Sequence, residues 1–220
     1  MSMTKSNCYS GNFLHSTGIL MYAAIAIGCN QSNNTSQPPP ALTSKNLYVV
    51  YDSVKVHWTA FKTTSKIAVK GTFTNIELKG IKDGQSLKQV LNGSFFTISV
   101  SNIFSNNEIR DLRLKTIFFG AMKNPEVISG TLHYKNDIPY LYLKINGIAK
   151  EVPLETSFKN NRLKLKASIQ LLDFNAVKAL AALNAVCFEQ HKGADGISKI
   201  WDEVEVVGTV LFSDKRQIHN

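Results

Sequence analysis

At 220 residues, with 44% hydrophobic and 19% charged side chains, the chain has room for one ordinary domain and an appendage, and is too apolar for wholesale disorder. The formal charge of +9 is spread along the chain rather than gathered in a basic arm with stacking aromatics, which argues against a nucleic-acid module. Cys8, Cys29 and Cys187 are too few and too scattered for a disulfide framework, and no CxxC or Cys/His cluster has metal-ligand spacing.

In chain order, residues 1–28 read as a signal peptide of the lipoprotein type. Phe13 to Ile27 is mostly apolar but shorter than the ~20 residues that span a bilayer. The stretch ends on Ala26-Ile27-Gly28-Cys29, a lipobox-like pattern. Small residues there fit a signal peptidase, and the Cys29 thiol is the lipidation candidate. Plain cleavage nearby is the alternative. Residues 29–45 form a polar tether that stiffens at Pro38-Pro39-Pro40 and has nothing to bury. Together these predict an exported protein held to a membrane by an N-terminal lipid, in the periplasm or at the outer membrane of a Gram-negative bacterium.

Residues 46–213 form the domain, followed by a tail at 214–220. Within the domain the dominant period is two. Val54, Val56, Trp58 and Ala60 alternate with Lys55, His57 and Thr59, and Ile67, Val69, Gly71 and Phe73 with Ala68, Lys70 and Thr72. The same rhythm runs through Phe96, Ile98 and Val100, through Leu141, Leu143 and Ile145, through Leu163 to Ile169, and through Val204 to Phe212. Such alternation puts one face of each strand in a core and the other in water. Turn chemistry separates the runs at Lys82-Asp83-Gly84, Asn92-Gly93, Asn136-Asp137 and Lys159-Asn160-Asn161. About eight strands in hairpin order, without βαβ alternation, point to an antiparallel barrel or sandwich.

Two segments interrupt the strands. Asn106 to Phe119 reads as a short helix or irregular crossing. Asp173 to Gln190 reads as a helix with Asp173 as N-cap, apolar on nearly every side and therefore buried against the end of the β-structure. By alternation the lumen candidates are Trp58, Phe96, Ile98, Val100, Leu141, Leu143 and Ile145. The same residues would also fill a barrel that binds nothing.

An ordered set of motifs then adds to this reading. Ser99 to Leu114, containing Arg110-Asp111-x-x-Leu114, leads to Phe118-Phe119 and Pro125. Leu143 to Val152 is a strand–Gly147-Ile148-Ala149-Lys150–strand hairpin, Leu172-Asp173-Phe174 follows, and Trp201-Asp202-Glu203-Val204-Glu205-Val206 opens the last strand. This order resembles the YceI family of lipocalin-like lipid-binding proteins. Ala149 and Asn175 stand where Thr and Gly are usual there.

The resemblance implies an all-β fold, an eight-stranded antiparallel lipocalin-like barrel capped by one or two short helices. Its apolar tunnel would hold a long-chain lipid such as an isoprenoid, with no cofactor, no metal and no catalysis. Phe118, Phe119 and Phe174 join the tunnel candidates, although the phenylalanine pair could equally plug the barrel. Arg110 is a head-group candidate, with a structural pairing as its alternative. Two rival readings stay open. One is a solidly packed interaction module. The other is a lipid-acting enzyme, which needs convergent titratable groups, and Asp202, Glu203 and Glu205 or His191 with Asp195 are the nearest approach to that.

Overall fold

The computed structural model describes residues 45–216, so the expected signal peptide, Cys29, the expected tether through residue 44 and residues 217–220 lie outside the described residues. The chain forms β1 (Tyr48–Lys62), β2 (Ile67–Phe73), β3 (Glu77–Lys79), β4 (Phe95–Ser99), β5 (Ile103–Phe104), β6 (Val127–Lys135), β7 (Ile138–Ile145), β8 (Ile148–Pro153), β9 (Glu155–Lys159), β10 (Arg162–Gln170) and β11 (Ile200–Ser213). Four short helices accompany them: α1 (Leu87–Leu91), α2 (Glu108–Arg113), α3 (Val177–Val186) and α4 (Phe188–His191).

The expectation of an all-β antiparallel fold holds, but the eight-strand count does not. Eleven strands form two antiparallel sheets, ordered β5-β2-β1-β11-β10-β9 and β3-β4-β6-β7-β8. No strand pairing joins the two sheets among the described residues. The extra strands arise where the chain passes from one sheet to the other at short corners. These are residues 74–76, the 3₁₀ turn Val100–Asn102, and Leu154 between β8 and β9. A corner of this kind keeps apolar residues such as Val100 and Leu154 in the core, so no polar turn signal marks it in the sequence.

The hairpins are set by local chemistry. Asn136-Asp137, Asn146-Gly147 and Asn160-Asn161 all have positive φ at both central residues. That is the geometry whose twist matches flanking strands, and Asn, Asp and Gly tolerate it best. In β1 the ladder with β11 is interrupted between Val50 and Lys55. Ser53 repairs the gap: its hydroxyl donates to Val50 O at 2.6 Å and accepts from Leu211 N at 2.7 Å.

The helical segments differ from expectation in detail. Around residue 110 the short helix forms as α2, capped by Asn107, whose side chain accepts from Arg110 N. It runs on through a π turn, Leu114–Phe118, and a 3₁₀ turn, Phe119–Ala121. The expected helix from Asp173 begins later. Leu171–Phe174 is a 3₁₀ turn, Asn175 is left-handed at φ 55°, and α3 starts at Val177 with no side-chain cap. The left-handed residue breaks the hydrogen-bond ladder, so Asp173 cannot cap α3. Nor is α3 buried all round. Ala179, Leu180 and Leu183 face the core, whereas Val177 and Val186 are exposed. Helix α1, capped by Ser86, lies where no helix was expected, because five residues are too few for a readable period.

Candidate functional site

Two apolar clusters fill the inward faces of the sheets. One surrounds Trp58, Phe118, Phe174 and Leu180, and the other Val49, Val90, Leu163 and Phe212. A cavity of about 280 Å³ runs between the sheets and touches both clusters. Ile200 and Val210 both border it, ten residues apart on β11, which is roughly 30 Å of strand at ~3.3 Å per residue. The cavity is therefore long rather than round. Among the described residues Lys55 is the one charged residue on its border; apart from Ser94, Thr209 and Gly208 the rest is aliphatic or aromatic.

Three glycines explain why the inward faces do not simply close up. Gly71 is the cross-strand partner of Trp58, and Gly130 that of Phe96. A Cβ on Gly71 would lie 2.2 Å from Trp58 Cζ2, and one on Gly130 would lie 2.7 Å from Phe96 Cε1. Each ring thus lies down over a bare backbone rather than standing up into the lumen. Gly208 works differently. It borders the cavity opposite Val56 and Leu165, and a Cβ there would find only Leu165 Cβ, at 3.9 Å. Glycine inside a strand weakens it, and a close approach by another group is the usual reason for keeping one.

Of the residues singled out in the sequence, Trp58, Phe96, Ile98, Phe118, Phe119, Leu141, Leu143 and Ile145 border the cavity. Phe118 and Phe119 meet edge to face at 4.9 Å and form part of its wall. Val100 and Phe174 do not border it. They are buried in the core behind the wall, at 5% and 1% exposure. Alternation, which named Val100, cannot separate a residue facing the lumen from one packed a layer deeper, and the resemblance that named Phe174 carries no such distinction either.

Arg110 does not border the cavity either. Its Nε donates to Ser105 Oγ and its Nη2 to Ser105 O, both at 2.7 Å. The neighbouring Asp111 is buried and accepts from Ser105 N and from Ser105 Oγ. The Arg-Asp pair of the motif thus locks the loop that leads from β5 into α2. It is a structural clasp, the alternative given for Arg110.

Sequence reasoning missed several wall residues, among them Phe73, Ile103, Leu114, Leu180, Leu183 and Ile200. Leu180 and Leu183 carried a signal in their helical spacing, but which side of α3 faces inward depends on where that helix docks. Trp201 borders the cavity, Lys199 Nζ lies 3.6 Å from its ring centroid, and Lys66 Nζ lies 5.2 Å away while pairing with Glu203.

The titratable residues considered for an enzyme do not converge. His191 Nδ1 is paired with Asn184 Oδ1 at 3.0 Å, whereas Asp195 accepts from Thr64 Oγ1 and Ile197 N. Burial, then the charges of Lys62 and Arg113, hold the His191 imidazole below its ordinary value. The Thr64 hydrogen bond, followed by that from Ile197, lowers the Asp195 carboxyl.

Fold and cavity define a class: an all-β antiparallel protein with an elongated, apolar interior space between two sheets. The YceI-like domain model matches residues 49–212, and the chain belongs to that family. Among solved structures it is similar to a polyisoprenoid binding domain from Saccharophagus degradans implicated in plant cell wall breakdown. That likeness has a TM-score of 0.56 at 12% identity and covers 76% of this chain and 97% of that one. Burkholderia cenocepacia BcnA matches at a TM-score of 0.47 and 13% identity, over 74% and 98% of the two chains. A Campylobacter jejuni YCEI protein matches at 0.41 and 15%, over 68% and 86%. No curated protein matches the sequence.

Proposed function

We propose that the protein binds a long-chain amphiphilic lipid, isoprenoid or fatty-acid-like, in the cavity between its sheets and performs no chemistry on it. The observation that carries this reading is the cavity itself: about 280 Å³, elongated, and bordered among the described residues by a single charged one. Each methylene moved from water into such a space is worth ~0.8 kcal/mol, so a long chain gains enough to offset its lost freedom. The family and the fold shared with a polyisoprenoid binding domain support the same reading. An enzyme would need titratable groups gathered on that wall, and Lys55 stands alone there.

The role that fits is storage, transport or presentation of the lipid in the cell envelope. There the Ala26-Ile27-Gly28-Cys29 pattern would supply the membrane anchor and residues 29–45 the tether. Replacing Cys29 by Ala should move the protein from the membrane fraction to the soluble fraction of cells; unchanged fractionation would remove the anchor from the proposal.

The lipid reading is tested by mass spectrometry of organic extracts from protein purified without detergent. A stoichiometric lipid is expected. Protein that is always lipid-free and that takes up no added isoprenoid or fatty acid would end this reading, leaving a packed interaction module in its place.

A further inference from the structure

The end of the domain at which residues 29–44 join it is built from the start of β1, the end of β11, the β6–β7 and β9–β10 turns, and the loop into α1. Leu47 N donates to Gly84 O, Phe212 N donates to Asn161 O, and Tyr48 stands opposite Ser213. The charges of this end do not balance among the described residues. Its carboxylates are Asp52, Asp83, Asp137 and Asp214. Lys45 pairs with Asp214 at 2.9 Å, Lys88 with Asp137 at 2.8 Å, and Arg216 with Asp83. That leaves the exposed Lys82, Lys159, Arg162 and Lys215 against Asp52 alone. Carboxylates are more plentiful at the α3 end, where Lys66 pairs with Glu203 and Lys192 with Glu189, and where Glu108, Asp173 and Asp195 are exposed. Lys159 and Arg162 also stand directly opposite each other on the β9–β10 ladder. Like charges so placed destabilise a sheet, and an anion shared from outside relieves them. Apolar side chains sit among these cations. Ile138, opposite Lys135, is 66% exposed, and Phe158, beside Lys159, is 44% exposed.

We propose that this end of the domain is a docking surface for an anionic phospholipid bilayer. The unneutralised cations meet the head groups, and Ile138 and Phe158 sink between them to the acyl boundary. The cations come from separate segments of chain and are spread over the whole end rather than gathered in a groove. Such a surface suits a broad field of negative charge, not one small anion. The path of the chain agrees, since an anchor at Cys29 would hold this same end nearest the membrane. Docking in this way turns the Val210 end of the cavity toward the bilayer and α3 away from it. It goes beyond the lipid-binding reading and does not need it, because a domain with nothing in its cavity would dock identically.

The test is sedimentation of the full chain carrying Cys29→Ala, so that no acyl group contributes, with vesicles of phosphatidylcholine alone or mixed with phosphatidylglycerol. Adding phosphatidylglycerol should tighten binding at least about tenfold, since each basic residue near an anionic surface is worth roughly fivefold. Lys159→Glu with Arg162→Glu should remove most of that gain. Lys123→Glu with Lys178→Glu makes the same charge change on exposed residues at the α3 end and should leave the gain largely intact. Equal affinity for the two kinds of vesicle overturns docking and leaves an acidic protein as the partner for this surface. Equal losses from the two double variants also overturn it, because net charge and not this end would then be responsible. Should the first double variant not fold, Lys82→Glu with Lys215→Glu, on other segments of the same end, takes its place and must give the same loss. Lipid extracted from the purified protein is measured separately, so either reading can fail without the other.

Discussion

The side chains that shape the interior are governed by what stands directly across the ladder from them. Trp58 can lie flat only because Gly71 has no Cβ, and the space is closed on two sides, by the ring and by the backbone oxygen of Phe104 at 2.7 Å from the missing atom. Since the oxygen belongs to β5 and cannot swing away, Gly71→Ala should cost about 1–3 kcal/mol, as overpacked cores do. Urea unfolding measures this, and an unchanged midpoint would show that the ring yields more readily than the geometry implies. Gly208→Ala is the comparison, because its new methyl meets only an ordinary contact at 3.9 Å and should leave the midpoint nearly in place.

Elements are joined by residues whose backbone angles decide where one stops and the next begins. Asn175 holds φ 55° and ψ 39° between the 3₁₀ turn and α3. Asparagine tolerates that region, so Asn175→Gly should change stability little, whereas Asn175→Ala should lose ~1–2 kcal/mol. Equal thermal midpoints for the two variants would refute the assignment. A pH effect belongs to the same end of the molecule. His191 follows α3, has its imidazole held below 6.5, and pairs with Asn184 of that helix. The unfolded chain takes up the ring's proton more readily than the folded one. Stability should therefore be lower in acid, rise with pH from the depressed folded value up to about 6.5, and level off above it. Chemical unfolding at a series of pH values should show this rise in the wild type and a flatter profile in His191→Gln.

For the whole molecule the central question is whether the space between the sheets is used. Gly208→Leu would project a side chain into the cavity from a position with room for its Cβ, so the fold should survive while the lumen is partly filled. The expected outcome is wild-type circular dichroism with a sharply reduced amount of co-purified lipid. Normal lipid content in that variant would place the ligand elsewhere. This variant separates a filled lumen from a broken fold, which truncating a wall residue such as Leu143 would not.

Much of this was legible in the amino-acid sequence. Period-two alternation marked the faces of β1, β2, β7, β10 and β11, Asn-rich pairs marked the hairpins, and the ordered motifs from Ser99 to Val206 marked the family. These are local signals, since each depends on residues within a few positions of one another. The corner at Leu154 was invisible because an apolar corner residue looks like a continuing strand. The choice between a head-group role and a structural pairing for Arg110 stayed open in the sequence because Arg and Asp side chains can reach either a ligand or a loop, and the clasp on Ser105 is visible only in the fold. Whether the interior is open was decided only in three dimensions. That depends on Trp58 meeting Gly71, Phe96 meeting Gly130, and Val56 meeting Gly208 across 152 residues of chain. Alternation says which way a side chain points, but only strand register says what it meets there, and that contact sets the volume left for a ligand.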